Sequence, residues 1–428
     1  MDITRRNFLK GVGAATASMC LPLTTLWPSS SNAATFPSNP KKLVLLMFKG
    51  GNDGINTAIP LSQYSLYSGM RSSIAIPQAD VLFAGTDSSG YDIGLHPSFA
   101  SLEPFFGNLA IFPATHTGPG SDRSHFFQHD LYDEGLATGV TGIGDGKGWV
   151  GRYLDNKYGG AAEGVVAEDF AQSALGLMRG DTFVLDVSTP DSLDLGTASS
   201  AQADAIWSDI RGVSSAAAGS YAATYAQTQE QLFTVLDRVR TNVAFNRIPD
   251  ASVSYPATTL GSQFKKTVDM FLGLPEIEVV HILLNGFDTH RNQGGGTGQQ
   301  AKLLADVSDS LAAFYTDLST ADPNLLNNVV VATMTEFGRT AQENGNGGTD
   351  HGQASCWFVF GGPVNGGIYD VYPGIDPATE LESGRWLRST TDYRDILSTI
   401  LGQHMGAADP NAAFPNYSGP TTPLNLFG

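Results

Sequence analysis

Lys41-Lys42-Leu43-Val44-Leu45-Leu46-Met47-Phe48 runs directly into Lys49-Gly50-Gly51-Asn52-Asp53-Gly54. A short, near-continuous apolar run closed by glycines reads as a strand buried on both faces, the habit of parallel sheets covered by helices. Similar runs recur at 109–113, 182–187, 279–284, 329–334 and 357–360. Helical spacing lies between them: Phe99, Leu102, Phe105 and Phe106 in 97–106, Leu303, Leu304, Val307, Leu311, Phe314 and Leu318 in 299–318, and a similar pattern in 392–405. Residues 197–247 are rich in Ala, Ser and Gln with few strand formers, and read as part of a helical insertion over about 190–260. With no internal repeat and no interdomain linker, the expectation is a single α/β domain over 34–428.

Composition narrows the class. At 428 residues the chain is long enough for about three average domains, but single α/β units with insertions reach the same size. Hydrophobic residues make up 41% and charged residues only 15%, which excludes a disordered chain, a coiled coil and a collagen-like fibre. The formal net charge of −18 argues against binding nucleic acid or anionic lipid through a basic face.

The first 33 residues read as an export signal. Thr4-Arg5-Arg6-Asn7-Phe8-Leu9-Lys10 precedes a weakly apolar run from Gly11 to Trp27, and Ser31-Asn32-Ala33 offers small residues before Ala34. Paired arginines mark the twin-arginine type, so the expected partner during export is the twin-arginine translocase and the expected location is periplasmic or secreted. Pro22 and several Gly, Ser and Thr interrupt the run, which falls short of the ~20 strongly apolar residues a stable membrane span needs. Cys20 follows Met19, too large a residue for a lipoprotein signal. Once the signal is removed, Cys356 is the only cysteine and no intramolecular disulfide can form.

Open α/β sheets place their sites just beyond the carboxyl ends of the strands. Those places hold Asn52-Asp53-Gly54, Gly286-Phe287-Asp288-Thr289-His290, Thr335-Glu336-Phe337-Gly338-Arg339, and Gly348-Thr349-Asp350-His351-Gly352. After the second run come His116 and Ser121-Asp122-Arg123-Ser124-His125, with His129 and Asp130 a turn further on. Taken singly, each has a structural use. Asn52-Asp53-Gly54 makes an ordinary turn, Asp288, Ser121 or Asp122 caps a helix, and Glu336 pairs with Arg339. His96 and His404 read as structural. Taken together, Asp53, Asp288, Glu336 and Asp350 would repel one another by about 4 kcal/mol per pair at ~4 Å and an effective dielectric near 20. Such convergence calls for raised pKa values or bound cations. Histidines mixed with carboxylates suit zinc, manganese or iron better than calcium. A serine at a helix start beside Arg123 and His125 adds a nucleophile and a place for an anionic group.

The strings GGNDG, HPSFASLEPFF, SDRSHFFQHD, GWVGRYLD, GFDTH, TEFGRT, GGTDHG and TTDYRDIL resemble the twin-arginine-exported family called domain of unknown function 1501, over nearly all of the chain after the signal. That family is grouped with the alkaline phosphatase and sulfatase superfamily. The resemblance implies a doubly wound, mostly parallel sheet with helices on both faces. It also implies a site for one or two divalent metal ions, zinc or manganese first, and hydrolysis or transfer of a phosphate or sulfate ester. Asp53 would match the first-strand ligand, Asp288 and His290 the ligands of one metal, and Asp350 with His351 those of the other. Ser124 takes the nucleophile position, with Ser121 second, and Arg339 or Arg123 would hold the equatorial oxygens of the ester.

The chain also departs from the superfamily. One residue separates Asp288 from His290 where three are usual, Glu336 stands where an Asp-His pair normally ends a strand, and only His404 remains downstream as a further ligand. Either Glu336 replaces a ligand, or one metal site is lost. No Cys/Ser-x-Pro-x-Arg signature is present, which argues against formylglycine sulfatase chemistry. The leading expectation is a metal-dependent hydrolase or transferase acting on a small-molecule or polymer-linked anionic ester. The alternative is a non-catalytic exported protein that binds a carbohydrate or a secretion partner on a degenerate fold. A nucleotide-cofactor oxidoreductase lacks support, since Gly50-Gly51 has neither the third glycine nor the distal acid of the dinucleotide fingerprint.

Overall fold

Strand β1 (Lys42–Lys49) runs through the interior of the main sheet, and Leu43 to Phe48 are all buried. The computed structural model describes residues 40–118, 122–140, 142–159, 166–170, 176–182, 184–187, 190 and 235–428. The export signal, Ser121 and most of the expected helical insertion lie outside the described residues; 235–242 of the insertion is helical.

The remaining strands are β2 (Ala58–Pro60), β3 (Leu82–Thr86), β4 (Asp92–Leu95), β5 (Leu109–His116), β6 (Ala167–Asp169), β7 (Val279–Asn285), β8 (Val329–Met334), β9 (Ser355–Gly361), β10 (Gly367–Ile368) and β11 (Thr391–Asp392). The main sheet has the order β10-β5-β9-β8-β1-β7-β6, with β11 also on β5, and β2-β4-β3 form a small antiparallel sheet. β1 lies parallel to both β7 and β8, with Leu45 level with His281 and Ala332. β9 runs antiparallel to β5 and β8, so the sheet is mixed. The reason lies in the connection: after β8 the chain stays at the same end of the sheet through 335–354 and turns straight back, as an antiparallel neighbour permits without a crossover helix.

Side-chain alternation along β1 sorts the core into two layers. Val44, Leu46 and Phe48 pack with Phe264 and Val268 of α4 (Thr259–Gly273) and with Leu304, Leu311 and Phe314 of α5 (Gln299–Ala321). Leu43, Leu45 and Met47 face Trp149, Val150 and Leu154 of α3 (Trp149–Tyr158) and Tyr393, Ile396 and Leu397 of α6 (Tyr393–Thr399). Helices thus cover both faces, which defines the α/β class. No helix among the described residues is long and apolar enough to cross a membrane.

Two expected elements differ. Among the described residues of 182–187, Leu185 alone bridges to the sheet, at Glu168, and the named strand on that side is β6. Asp155 draws the segment away, because its carboxylate accepts from Thr182 N (2.7 Å) and Thr182 Oγ1 (2.8 Å). The stretch 97–106 forms not one helix but two 3-10 segments, Pro97–Phe99 and Glu103–Asn108. Pro104 has no N–H to continue a helix from the first into the second.

Candidate metal centre

The carboxyl ends of β1, β5, β7 and β8 open on one side of the sheet, and the connections that follow them build the site. At the end of β1 the backbone amides of Gly50 and Gly51 donate to the two carboxylate oxygens of Glu336, at 2.7 and 2.9 Å. Both glycines have positive φ, +120° and +77°. A Cβ on Gly50 would lie 2.4 Å from Asp288 N, and one on Gly51 would lie 2.5 Å from the Phe337 ring. The glycine pair therefore serves the close approach of three loops as well as the turn.

Glu336 is fully buried, and its carboxylate also meets two imidazoles of one helix, α2 (His125–Glu134). His125 Nδ1 lies 3.1 Å and His129 Nε2 3.2 Å from Glu336 Oε1. Burial alone would raise this carboxyl's pKa, but the contacts with His125 and His129 outweigh it and hold it well below the ordinary glutamate range.

The geometry then repeats itself. His351 Nδ1 lies 2.8 Å from the carbonyl oxygen of Arg123, and His290 Nδ1 lies 3.4 Å from Asp350 Oδ1. A carbonyl and an ionised carboxylate can only accept, so Nδ1 carries a proton in His125, His351 and His290, and Nε2 is the ring atom left to serve as a ligand. These three Nε2 atoms gather round Asp288 Oδ1, at 3.7 Å for His125, 3.1 Å for His290 and 3.2 Å for His351. His290 Nε2 and His351 Nε2 are only 3.0 Å apart. An imidazole protonated at Nδ1 alone offers its Nε2 lone pair, so this gathering of Nε2 atoms round a carboxylate oxygen is one that a cation can occupy. Ligand atoms of His125, Asp288 and His351 lie within 4.8 Å of one another, as a metal site requires. The Asp288 carboxylate is 47% exposed, so the centre is open to solvent. Burial raises the Asp288 pKa, but the Arg339 guanidinium beside it brings it below the usual aspartate value.

Several expected ligands are placed differently. Asp53 does not join the centre: its buried carboxylate pairs with Arg71 Nη1 (2.5 Å), accepts from Gln293 Nε2 (2.6 Å), and caps the short helix α1 (Gly54–Thr57) through Asn56 N. Arg71 already supplies the positive charge that the aspartate needs. Glu336 and Asp350 stand behind the histidines rather than beside Asp288 Oδ1, and Asn344 Nδ2 (3.1 Å) also binds Asp350. The Asn344 hydrogen bond is the main reason that the Asp350 pKa lies below the ordinary value. Arg339 is 1% exposed and spends its donors inside the fold, on the carbonyls of Gly50, Gly51, Phe287 and Thr349 and on Asp288 Oδ1. It is not available to hold ester oxygens. Ser124 is the N-cap residue of α2, and its hydroxyl is not spent on capping. His404 lies at the opposite end of the sheet, with Nε2 near the carbonyls of Lys42 and Asn328, and His96 binds Ser98 N and Gly295 O.

His125 and His129 are four residues apart on one helix face, a signal present in the sequence. Arg71, Gln293 and Asn344, which fix the acids of the site, carry no comparable pattern.

The fold and this cluster define an α/β protein with a histidine–aspartate candidate metal centre at the carboxyl end of its sheet. The chain belongs to the family described as Protein of unknown function (DUF1501), which matches residues 147–421. No curated protein matches the chain. Among solved structures, it is similar to a protein in the alkaline phosphatase superfamily from Vibrio parahaemolyticus, at 10% identity, over 99% of this chain and 80% of that one, with a TM-score of 0.39. The PsFucS1 sulfatase from Pseudoalteromonas sp. is similar at 10% identity over 97% and 74% of the two chains (TM-score 0.34). Alkaline phosphatase from the Antarctic bacterium TAB5 is similar at 12% identity over 77% and 95% (TM-score 0.30).

Proposed function

We propose that the protein is an exported, periplasmic or secreted metal-dependent hydrolase or transferase of a phosphate or sulfate ester. The observation that carries this reading is the convergence of the His125, His290 and His351 Nε2 atoms on Asp288 Oδ1, each ring fixed from behind at Nδ1. Imidazole and carboxylate donors with oriented second partners suit zinc, with manganese next. These four residues would hold one divalent ion, since Asp53 is committed to Arg71. When bound, the ion would act as a Lewis acid toward an ester oxygen.

The chain's own groups do the rest. Glu336, Asp350 and the Arg123 carbonyl hold the three imidazoles in the tautomer that presents Nε2. Arg339 ties the loop carrying Asp288 to the Gly50-Gly51 turn. Ser124, with its hydroxyl free of the cap and His125 next in sequence, is the residue assigned to attack the phosphorus or sulfur.

The test is metal content per chain on protein exported and folded in its own compartment. About one equivalent, lost in Asp288→Ala, is expected, followed by turnover of aryl phosphate or aryl sulfate that falls in Ser124→Ala. A folded, unchelated protein without metal would overturn the reading and favour a binding protein on a retired enzyme fold.

A further inference from the structure

Two arginines beside the centre are left without a structural duty. Arg71 and Arg339 are buried and fully engaged. Arg123 and Arg385 instead flank one indole: the guanidinium carbon of Arg123 lies 3.7 Å from the Trp386 ring centroid, and that of Arg385 5.5 Å from it. Among the described residues, neither guanidinium hydrogen-bonds to an acceptor or sits in an ion pair at contact distance, although the chain carries a net charge of −18. A guanidinium stacked face-on over an aromatic ring keeps its N–H edges free for a planar or tetrahedral anion.

The backbone ties this arm to the centre. The Arg123 carbonyl is the acceptor that orients His351. Arg339 bridges to His351 on one side, and its neighbour Thr340 bridges to Trp386 on the other. Ala341 N donates to Arg385 O at 2.9 Å. Two ladder spacings of about 4.8 Å put Trp386 on the order of 10 Å from His351. Arg385 is also close enough to Asp350 to help lower its pKa. Two cations gathered on one indole repel each other, and a bound anion offsets that cost.

We infer that Arg123 and Arg385, splinted by Trp386, form an anion-recognition arm that takes a second anionic group of the substrate. The ester turned over at the centre then carries a further phosphate, sulfate or carboxylate about 10 Å away. This inference rests on the proposed function and assigns Arg123 a role in recognition, not in gripping the reacting group.

The test compares hexane-1,6-diphosphonate with hexylphosphonate, which share an apolar chain and differ by one anion, by calorimetric binding to the full, metal-loaded chain. The diphosphonate is expected to bind at least tenfold tighter. Arg385→Gln should cut that preference severalfold while leaving hexylphosphonate binding within about twofold, and Arg123→Gln should cut the preference as well. Trp386→Phe should retain the preference, and Trp386→Ala should lose most of it. Arg385 is exposed, so its variant is expected to fold normally even if the Trp386 variants do not. Equal binding of both probes, or a preference that survives the Arg123→Gln/Arg385→Gln double variant, overturns the arm and leaves the metal-centre reading standing. Absence of binding by either probe overturns both.

Discussion

Asp53 is where the expectation from sequence and the structure diverge most, and replacing it separates a ligand from a structural acid. The Asp53–Arg71 pair has both side chains fully buried, with Asp53 Oδ2 and Arg71 Nη1 at 2.5 Å. In Asp53→Ala the guanidinium keeps its hydrogen bonds to Asn56 Oδ1, Ala341 O and Thr340 O but loses its carboxylate partner. Breaking one side of a buried pair costs about 3–5 kcal/mol, and loss of the α1 cap adds about 1 kcal/mol. The sum is a large share of a typical total stability of about 5–15 kcal/mol. The assay is the urea midpoint of metal-free protein, followed by tryptophan fluorescence, alongside metal content of the loaded protein. Asp53→Ala should shift the midpoint down strongly while the folded fraction keeps its metal. Asp288→Ala should do the reverse, because its carboxylate is about half exposed and Arg339 retains its carbonyl partners. The Asp53→Ala/Arg71→Met double variant should be less destabilised than the two single changes added together. An unchanged midpoint with lost metal in Asp53→Ala would return Asp53 to the ligand set and refute the reasoning.

Glu336→Gln should weaken metal affinity by about 10–100-fold, since the amide cannot accept from His125 Nδ1 and from both glycine amides at once; a chelator competition titration reads this directly. Stability should also fall in mild acid. Burial pushes the pKa of His116 and His404 down from 6.5 to about 4, so between these values the unfolded chain binds protons that the folded chain refuses. Stability from these groups is complete above about pH 6.5 and is lost as pH drops toward 4, by up to about 3 kcal/mol for each residue. The urea midpoint measured from pH 7.5 to 4.5 should decline accordingly, and His404→Gln should flatten the slope; a parallel slope in the variant would remove His404 from the account.

The interior strands were legible because burial on both faces leaves little room for anything but apolar residues, as in Val44–Phe48 and Val329–Ala332. An apolar run carries no direction, however, so nothing in Trp357–Phe360 foretold that β9 runs backwards. Strand β6 was hidden for the opposite reason. It is Ala-Glu-Asp: His281 Nδ1 lies 3.1 Å from Asp169 Oδ1, while burial pushes the Glu168 carboxyl pKa well up. Thr182–Val187 carried a strand composition, yet the hydrogen bonds of Asp155 decided its path.

At the site, the position of the chemistry was legible and its division of labour was not. Strand ends announce Asp288, His290, Glu336, Asp350 and His351, because connections at the carboxyl edge must turn there. Which acid faces a cation depends on what each acid meets in three dimensions. Asp53 meets Arg71, from a different segment, and is neutralised. Glu336 meets two amides and two imidazoles, so its charge is spent on orienting them. Asp350 is held by Asn344 behind His290. Asp288 alone of the four has three imidazole Nε2 atoms gathered round one oxygen, with Arg339 on the same oxygen. Four converging carboxylates called for raised pKa values or bound cations. The protein's own cations and donors take up three of them, and Asp288 is left as the carboxylate of the candidate centre.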